Sequence, residues 1–205
     1  MPVTARPKRQ QGRPRQFSDD DVFMATAHAV ASHGYRGLTM TSVAEIVGCT
    51  GPALIHRYGS KQGLLLGYLE WSIARSEGLF QRVRRDVPSP LAAVRARFAD
   101  PAHRHTNDDA AHLAHVVFFV EGRTDRSFIP QMERYADALI TGTEALLTEA
   151  IACGELKPVS ATELARVIVS SVIGASLMWS PLHDTTLSDA VGRVIDSVLL
   201  PHRID

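Results

Sequence analysis

The chain has 205 residues, in which 22 Lys/Arg balance 22 Asp/Glu and 45% of positions are hydrophobic. A chain of that size can bury roughly 70% of its extended surface without a covalent staple. Its two cysteines, Cys49 and Cys153, have neither a Cys-x-x-Cys nor a zinc-finger spacing, which argues against a disulfide framework or zinc module and for a reducing compartment.

The N-terminus is basic and Pro/Gly-rich rather than a signal peptide, and no apolar run approaches transmembrane length, so a soluble cytoplasmic protein is expected. The zero net charge hides an asymmetry. Residues 1–61 carry eight Lys/Arg against four Asp/Glu, leaving an acidic remainder, as a nucleic-acid-binding head on a non-contacting body would require. Residues 1–16 hold Arg6, Lys8, Arg9, Arg13 and Arg15 among three prolines and no acid, which reads as a flexible basic arm able to neutralise phosphates or enter a minor groove. Ser18 is the N-cap of the first helix, with Asp19, Asp20 and Asp21 at the positive end of its dipole. Val22, Ala25, Thr26, Ala29 and Val30 form its buried stripe, and Gly34 is its expected end.

Residues 39–61, TMTSVAEIVGCTGPALIHRYGSK, read as two short helices joined by a tight turn. Met40, Val43, Ala44 and Val47 share one helical face, Gly48 ends that helix, and Thr50 caps the next. In the second helix Leu54 and Tyr58 point inward, which leaves Gly51, Pro52, Ile55 and His56 outward for the major groove. Pro52 lies in the first turn, where its missing N–H breaks no helical bond. Ser60 caps a third helix starting at Lys61, a further place for phosphate.

The run GYRGLTMTSVAEIVGCTGPALIHRYGSKQGLL, residues 34–65, resembles the DNA-binding segment of the TetR family of bacterial transcriptional repressors. It matches the pattern Gly-aromatic, Thr, apolar-x-x-apolar-Ala, Gly-x-Ser/Thr, Leu, His, aromatic, Ser-Lys, Leu-Leu without a gap. Two positions depart from the family: Ile55 stands where tyrosine is usual and Pro52 where glycine is frequent. The loss of a tyrosine hydroxyl to phosphate is worth about 1 kcal/mol as a net hydrogen bond, and Ile55 can touch a thymine methyl instead. The resemblance implies an all-α protein with a three-helix helix-turn-helix head and a larger helical body that binds a small molecule and dimerises. It implies groove contacts from Gly51, Pro52, Ile55 and His56, phosphate contacts from Thr39, Thr41, Thr50 and Lys61, and added affinity from Arg13 and Arg15.

Beyond the head, the helix from Lys61 carries Leu64, Leu65, Tyr68, Leu69 and Trp71 toward Arg85, before Pro88 and Pro90. As a lever it connects head and body. Residues 90–99, 108–120 and 127–153 read as further helices, and the run from Val116 to Val120 is apolar all round, as befits a buried or cavity-lining segment. Trp71, Phe98, Val116, Phe119, Met132, Tyr135 and Leu139 are the candidate ligand-binding residues where these helices converge. Ser160-Ala-Thr-Glu163 is a capping box for a helix stopped by Pro181, and a last helix ends before Pro201. By the resemblance these two helices form the homodimer interface, with Leu164, Val167, Ile168, Ser171, Val172, Ala175, Val191, Val194, Ile195 and Val198 on it.

His103, His105, His112 and His115 invite a metal-sensor reading, but no Cys lies near and no His-Glu-x-x-His motif is present, so no metal or other cofactor is expected. No glycine-rich phosphate loop, nucleophile elbow or placed carboxylate pair points to catalysis. The expected layout is a basic arm at 1–16, a DNA-binding domain at 17–62 and an effector-binding and dimerisation domain at 63–205. The expected partners are double-stranded operator DNA, a small-molecule effector and a second copy of the chain, with no membrane. The alternative is a helical ligand-binding or enzymatic protein with a vestigial head.

Overall fold

The computed structural model describes residues 17–106, 108–182 and 185–204, with backbone alone at 180–182. The arm with Arg13 and Arg15 therefore lies outside the described residues. Among those described, nine α-helices and no β-sheet are present: α1 (Asp19–Gly37), α2 (Met40–Val47), α3 (Gly51–Tyr58), α4 (Lys61–Asp86), α5 (Pro90–Ala99), α6 (Asp109–Glu121), α7 (Ile129–Ala152), α8 (Ala161–Leu182) and α9 (Leu187–Leu199).

The head is set by its caps. Ser18 and Asp21 form a reciprocal capping box at α1, Thr39 and Ser42 form another at α2, and the side chains of Thr50 and Ser60 accept the amides of Ala53 and Gly63. Each helix start was written locally in the sequence. Gly34 has φ 67° and breaks α1 as expected, but helical bonding resumes beyond this kink for one more turn to Gly37. Gly48, at φ 80°, closes α2 in the left-handed conformation that lets α3 turn across it.

The helices enclose two hydrophobic clusters. Val22, Ala29, Val43, Leu54, Leu64 and Tyr68 fill the head, and Phe118 of α6 and Phe128 and Met132 of the following segment belong to the same cluster. The head core therefore does not end where the helix-turn-helix ends. Val83, Val94, Leu147, Ile168, Val191 and Ile195 anchor the second cluster, where α4, α5, α7, α8 and α9 meet.

Three sequence expectations change. α7 begins at Ile129 rather than at residue 127, with Pro130 in its first turn, and Pro181 lies within the final turn of α8 instead of beyond it. The stretch Ala161–Trp179 of α8 is, by length and mean hydropathy (1.4), apolar enough to cross a membrane, contrary to the expectation that no segment is. Only 33% of that window is buried within the chain.

The α3–α4 junction fixes α3 by close approach. A Cβ on Gly63 would lie 2.1 Å from the Tyr58 carbonyl oxygen, whereas one on Gly78, farther along α4, would meet nothing within 4 Å. Gly63→Ala should therefore cost about 1–3 kcal/mol through overpacking, and Gly78→Ala should stabilise by about 0.5–1 kcal/mol through backbone entropy. Urea denaturation of both variants measures this, and equal effects of the two would refute the close-approach constraint.

Candidate nucleic-acid interface and cavity

α2 and α3 present a shallow face of exposed groups. Thr39, Thr41, Thr50, Pro52 and His56 are exposed, and Ile55 is 49% exposed although it is a large apolar side chain. Gly51 is half-buried, and a Cβ there would come 3.3 Å from Thr41 Oγ1, so the absence of a side chain allows the start of α3 to sit against α2. Leu54, with no exposure, holds α3 from the inside. Ile46 of α2 is also half-exposed, an apolar group that sequence reasoning did not single out.

Two cations near this face have intramolecular partners. Lys61 Nζ donates to the Arg36 carbonyl at 2.9 Å, neutralising the C-terminal end of α1, and partial burial lowers its pKa. Arg57 pairs with Asp19 at 2.8 Å, donates to the Phe17 carbonyl and covers the Phe17 ring, so it ties α3 back to the start of α1. This face is thus built from short polar groups, backbone and two exposed isoleucines, and the cations Lys61 and Arg57 lie at its margin with partners in the chain.

A cavity of about 350 Å³ lies between α5, α6, α7 and α8. Phe98, Val116, Phe119, Met132, Tyr135 and Leu139 line it. Trp71 does not. Its indole N–H donates to Asp20 at 2.6 Å, and its ring packs against Phe23 and Tyr68, because the outer side of this part of α4 faces α1. Val120 is 47% exposed and marks the mouth with Arg123, so the apolar run of α6 is not buried to its end.

Apart from Val120 of α6 and Ala136 of α7, the lining residues that sequence reasoning missed are polar or come from α8. Arg97, His112 and His115 line the deep part, and Val169, Val172, Ile173 and Ser176 close the far wall. For Arg97 a signal existed: it falls on the same helical stripe as Ala93 and Val94, where a cation interrupts an apolar face.

His115 joins three helices. Its Nδ1 is 2.6 Å from the Tyr68 hydroxyl on α4 and its Nε2 is 3.0 Å from the Tyr135 hydroxyl on α7. A neutral ring satisfies both contacts, one nitrogen donating and the other accepting. His105 stacks beside it with ring centroids 4.6 Å apart, and both His105 ring nitrogens lack partners. Burial, reinforced by nearby cations and rings, pushes His112 and His115 down to about 3 and His105 well below its ordinary value. Among the described residues no group of three or more His, Cys, Asp or Glu side chains is placed to hold a metal.

The expected dimer residues divide. Leu164, Ile168, Val172, Val191 and Ile195 are buried inside their own chain, and Val172 also lines the cavity. They are core residues and cannot form a contact surface. Val167 is exposed and Ser171, Ala175, Val194 and Val198 are half-buried, Ala175 and Val198 against the second cluster, while Met178 on α8 is 57% exposed.

The model of the family "Bacterial regulatory proteins, tetR family" matches residues 23–68. No curated protein matches the chain in sequence. SmeT, the repressor of the Stenotrophomonas maltophilia multidrug efflux pump SmeDEF, is similar with TM-score 0.70 and 16% identity, over 93% of this chain and 92% of that one. A TetR-family transcriptional regulator from Agrobacterium tumefaciens is similar with TM-score 0.74 and 18% identity, over 91% and 97%. The transcriptional regulator FadR from Bacillus subtilis, solved with stearoyl-CoA, is similar with TM-score 0.67 and 12% identity, over 88% and 97%. These likenesses establish a shared all-α fold with an N-terminal helix-turn-helix.

The buried histidines predict a pH response. Their folded-state pKa values lie below the unfolded value near 6.5, so the unfolded chain binds more protons under acid conditions. Their contribution to stability is present above about pH 6.5 and is lost as pH falls toward about 3. Each can cost up to about 1.4 kcal/mol per pH unit within that window. Denaturant midpoints should fall between pH 7 and pH 5, and His105→Leu should flatten the fall. An unchanged slope in that variant would contradict the assignment.

Proposed function

We propose, from the match of residues 23–68 to the model of the bacterial regulatory proteins of the tetR family, that the chain is a DNA-binding transcriptional regulator. It acts in the cytoplasm as a homodimeric repressor, leaving a palindrome-like operator when a small apolar or amphipathic molecule fills the cavity. Residues 1–16 serve as a DNA-binding arm, 17–62 as the DNA-binding domain, and 63–205 as the effector-binding and dimerisation domain. No chemical step is assigned to the chain. The fold it shares with SmeT, a repressor, and with FadR, solved with stearoyl-CoA, is consistent with this role.

The observation that carries the reading is the double duty of α6. Val116 and Phe119 line the cavity, while Phe118, on the next face of the same helix, is fully buried in the head cluster with its ring 5.6 Å from Tyr35 of α1. A ligand that displaces the cavity face must also move the face against α1. Only a ligand that binds the displaced arrangement better can shift the population toward it.

In the dimer, the outer stripe of α8 with Val167, Ser171, Ala175 and Met178 packs on its copy beside Val194 and Val198 of α9. The small Gly174 and Ala175 allow close helix approach. Twofold symmetry then sets the two α3 helices on half-sites one helical turn or a multiple apart. Gly51, Pro52, Ile55 and His56 meet base edges, and Thr39, Thr41 and Thr50 bond phosphates. Lys61 adds its positive charge from the rim.

Selection of random duplexes by the purified full chain, followed by anisotropy titration at several salt concentrations, tests the proposal. The expected result is an inverted-repeat motif bound roughly a thousandfold or more tighter than shuffled DNA, with affinity falling steeply as salt rises. Ile55→Ala should relax preference at one base step per half-site by about 1–3 kcal/mol. Equal, weak binding to every duplex would identify the head as vestigial.

A further inference from the structure

The deep end of the cavity contains a cation without a counter-charge. Arg97 is 3% exposed, its Nη1 donates to the His103 carbonyl at 3.2 Å, and its Nη2 donates to Ser76 Oγ at 2.9 Å. Its guanidinium lies over the Phe80 and Phe98 rings, 4.6 and 5.2 Å from their centroids. Nε has no acceptor. No Asp or Glu is among the described residues that line the cavity.

Arg104, equally buried, has a counter-charge, an ion pair with Asp109 at 2.7 Å, although its Nε and Nη1 also lack acceptors. Arg97 has only neutral partners. Desolvation lowers its pKa to about 10, which still leaves it protonated at neutral pH. A buried cation held by neutral groups alone is costly, and here it borders a cavity whose remaining wall is largely apolar. His112, on the same cavity, also has a buried Nδ1 without a partner.

We propose that the cavity takes an amphipathic monocarboxylate, with its carboxylate against Arg97 and its apolar body along Phe119, Leu139, Val169 and Ile173. The inference rests on the effector reading of this cavity and adds the chemical class of the effector. A carboxylate suits the planar guanidinium and supplies the acceptor that Nε lacks. His105, His112 and His115 are neutral at physiological pH, so Arg97 alone provides charge at the deep end. One negative charge neutralises it, whereas a phosphate dianion would leave a buried excess.

The test is calorimetric titration of the full chain at pH 7.5 with acid–ester pairs: hexanoate, decanoate, dodecanoate and naphthylacetate, each beside its neutral methyl ester. At least one acid is expected to bind tenfold or more tighter than its ester. Arg97→Met should bring that pair to within about threefold, mainly by weakening the acid. Where Arg97→Met loses its helical circular-dichroism signal, Arg97→Gln and the wild-type comparison decide in its place. The inference is overturned when no acid outbinds its ester, or when a folded variant without the guanidinium keeps the full preference. DNA binding is read separately, so an acid-selective cavity in a chain without operator preference would sink the regulator reading and leave this one standing.

Discussion

α6 serves two packing surfaces with neighbouring residues. One side closes the cavity through His115, Val116 and Phe119, and the other fills the head cluster through Phe118. This constraint explains why the segment is apolar nearly all round. It also makes the division between head and body a matter of sequence more than of packing, since the core of the helix-turn-helix is completed by side chains about fifty residues farther along the chain. Close-packed interiors transmit small displacements because they have no voids to absorb them. The cavity face at Phe119 and the turn of α1 at Tyr35 are therefore separated by one helix.

The polar groups of the cavity follow from the same sandwich. Tyr68, His115 and Tyr135 join α4, α6 and α7 through a chain of two hydrogen bonds, so the long helix that leaves the head is held to the cavity wall by directional contacts. Such a chain specifies one relative placement of three helices more sharply than apolar packing can. Burial keeps His105, His112 and His115 neutral, which confines positive charge at the deep end to Arg97. Repositioning α6 would strain both hydrogen bonds together, a coupling suited to an element with two discrete arrangements.

Helix positions were legible in the sequence because caps and periodicity are local. Ser18, Thr50 and Ser60 each announce a start, the Thr39 cap emerges in the structure, and Gly48 has the conformational freedom that the turn requires. The partners of each helical face were less legible. Val167 and Val172 are alike in type and near in sequence, yet one faces outward and the other lines the cavity, because α8 is apolar on several sides and periodicity cannot rank them. Trp71 looked like a cavity residue until α1 was seen to cover it. Arg97 interrupts an apolar stripe, a weak signal because a lone arginine on a helix is usually solvated, and the convergence of α4, α5 and α7 around it makes its charge uncompensated.

The central claim is that filling the cavity moves the head through α6, and it can be tested without knowing the ligand. Val172 of α8 is 7% exposed and lines the cavity, so Val172→Phe places added volume inside it. The measurement is the anisotropy-derived affinity of this variant for selected and for shuffled DNA. The account predicts a loss of tenfold or more, about 1.4 kcal/mol, in preference for selected DNA, with helical content and affinity for shuffled DNA retained. A folded Val172→Phe protein that discriminates as well as the wild type would contradict it.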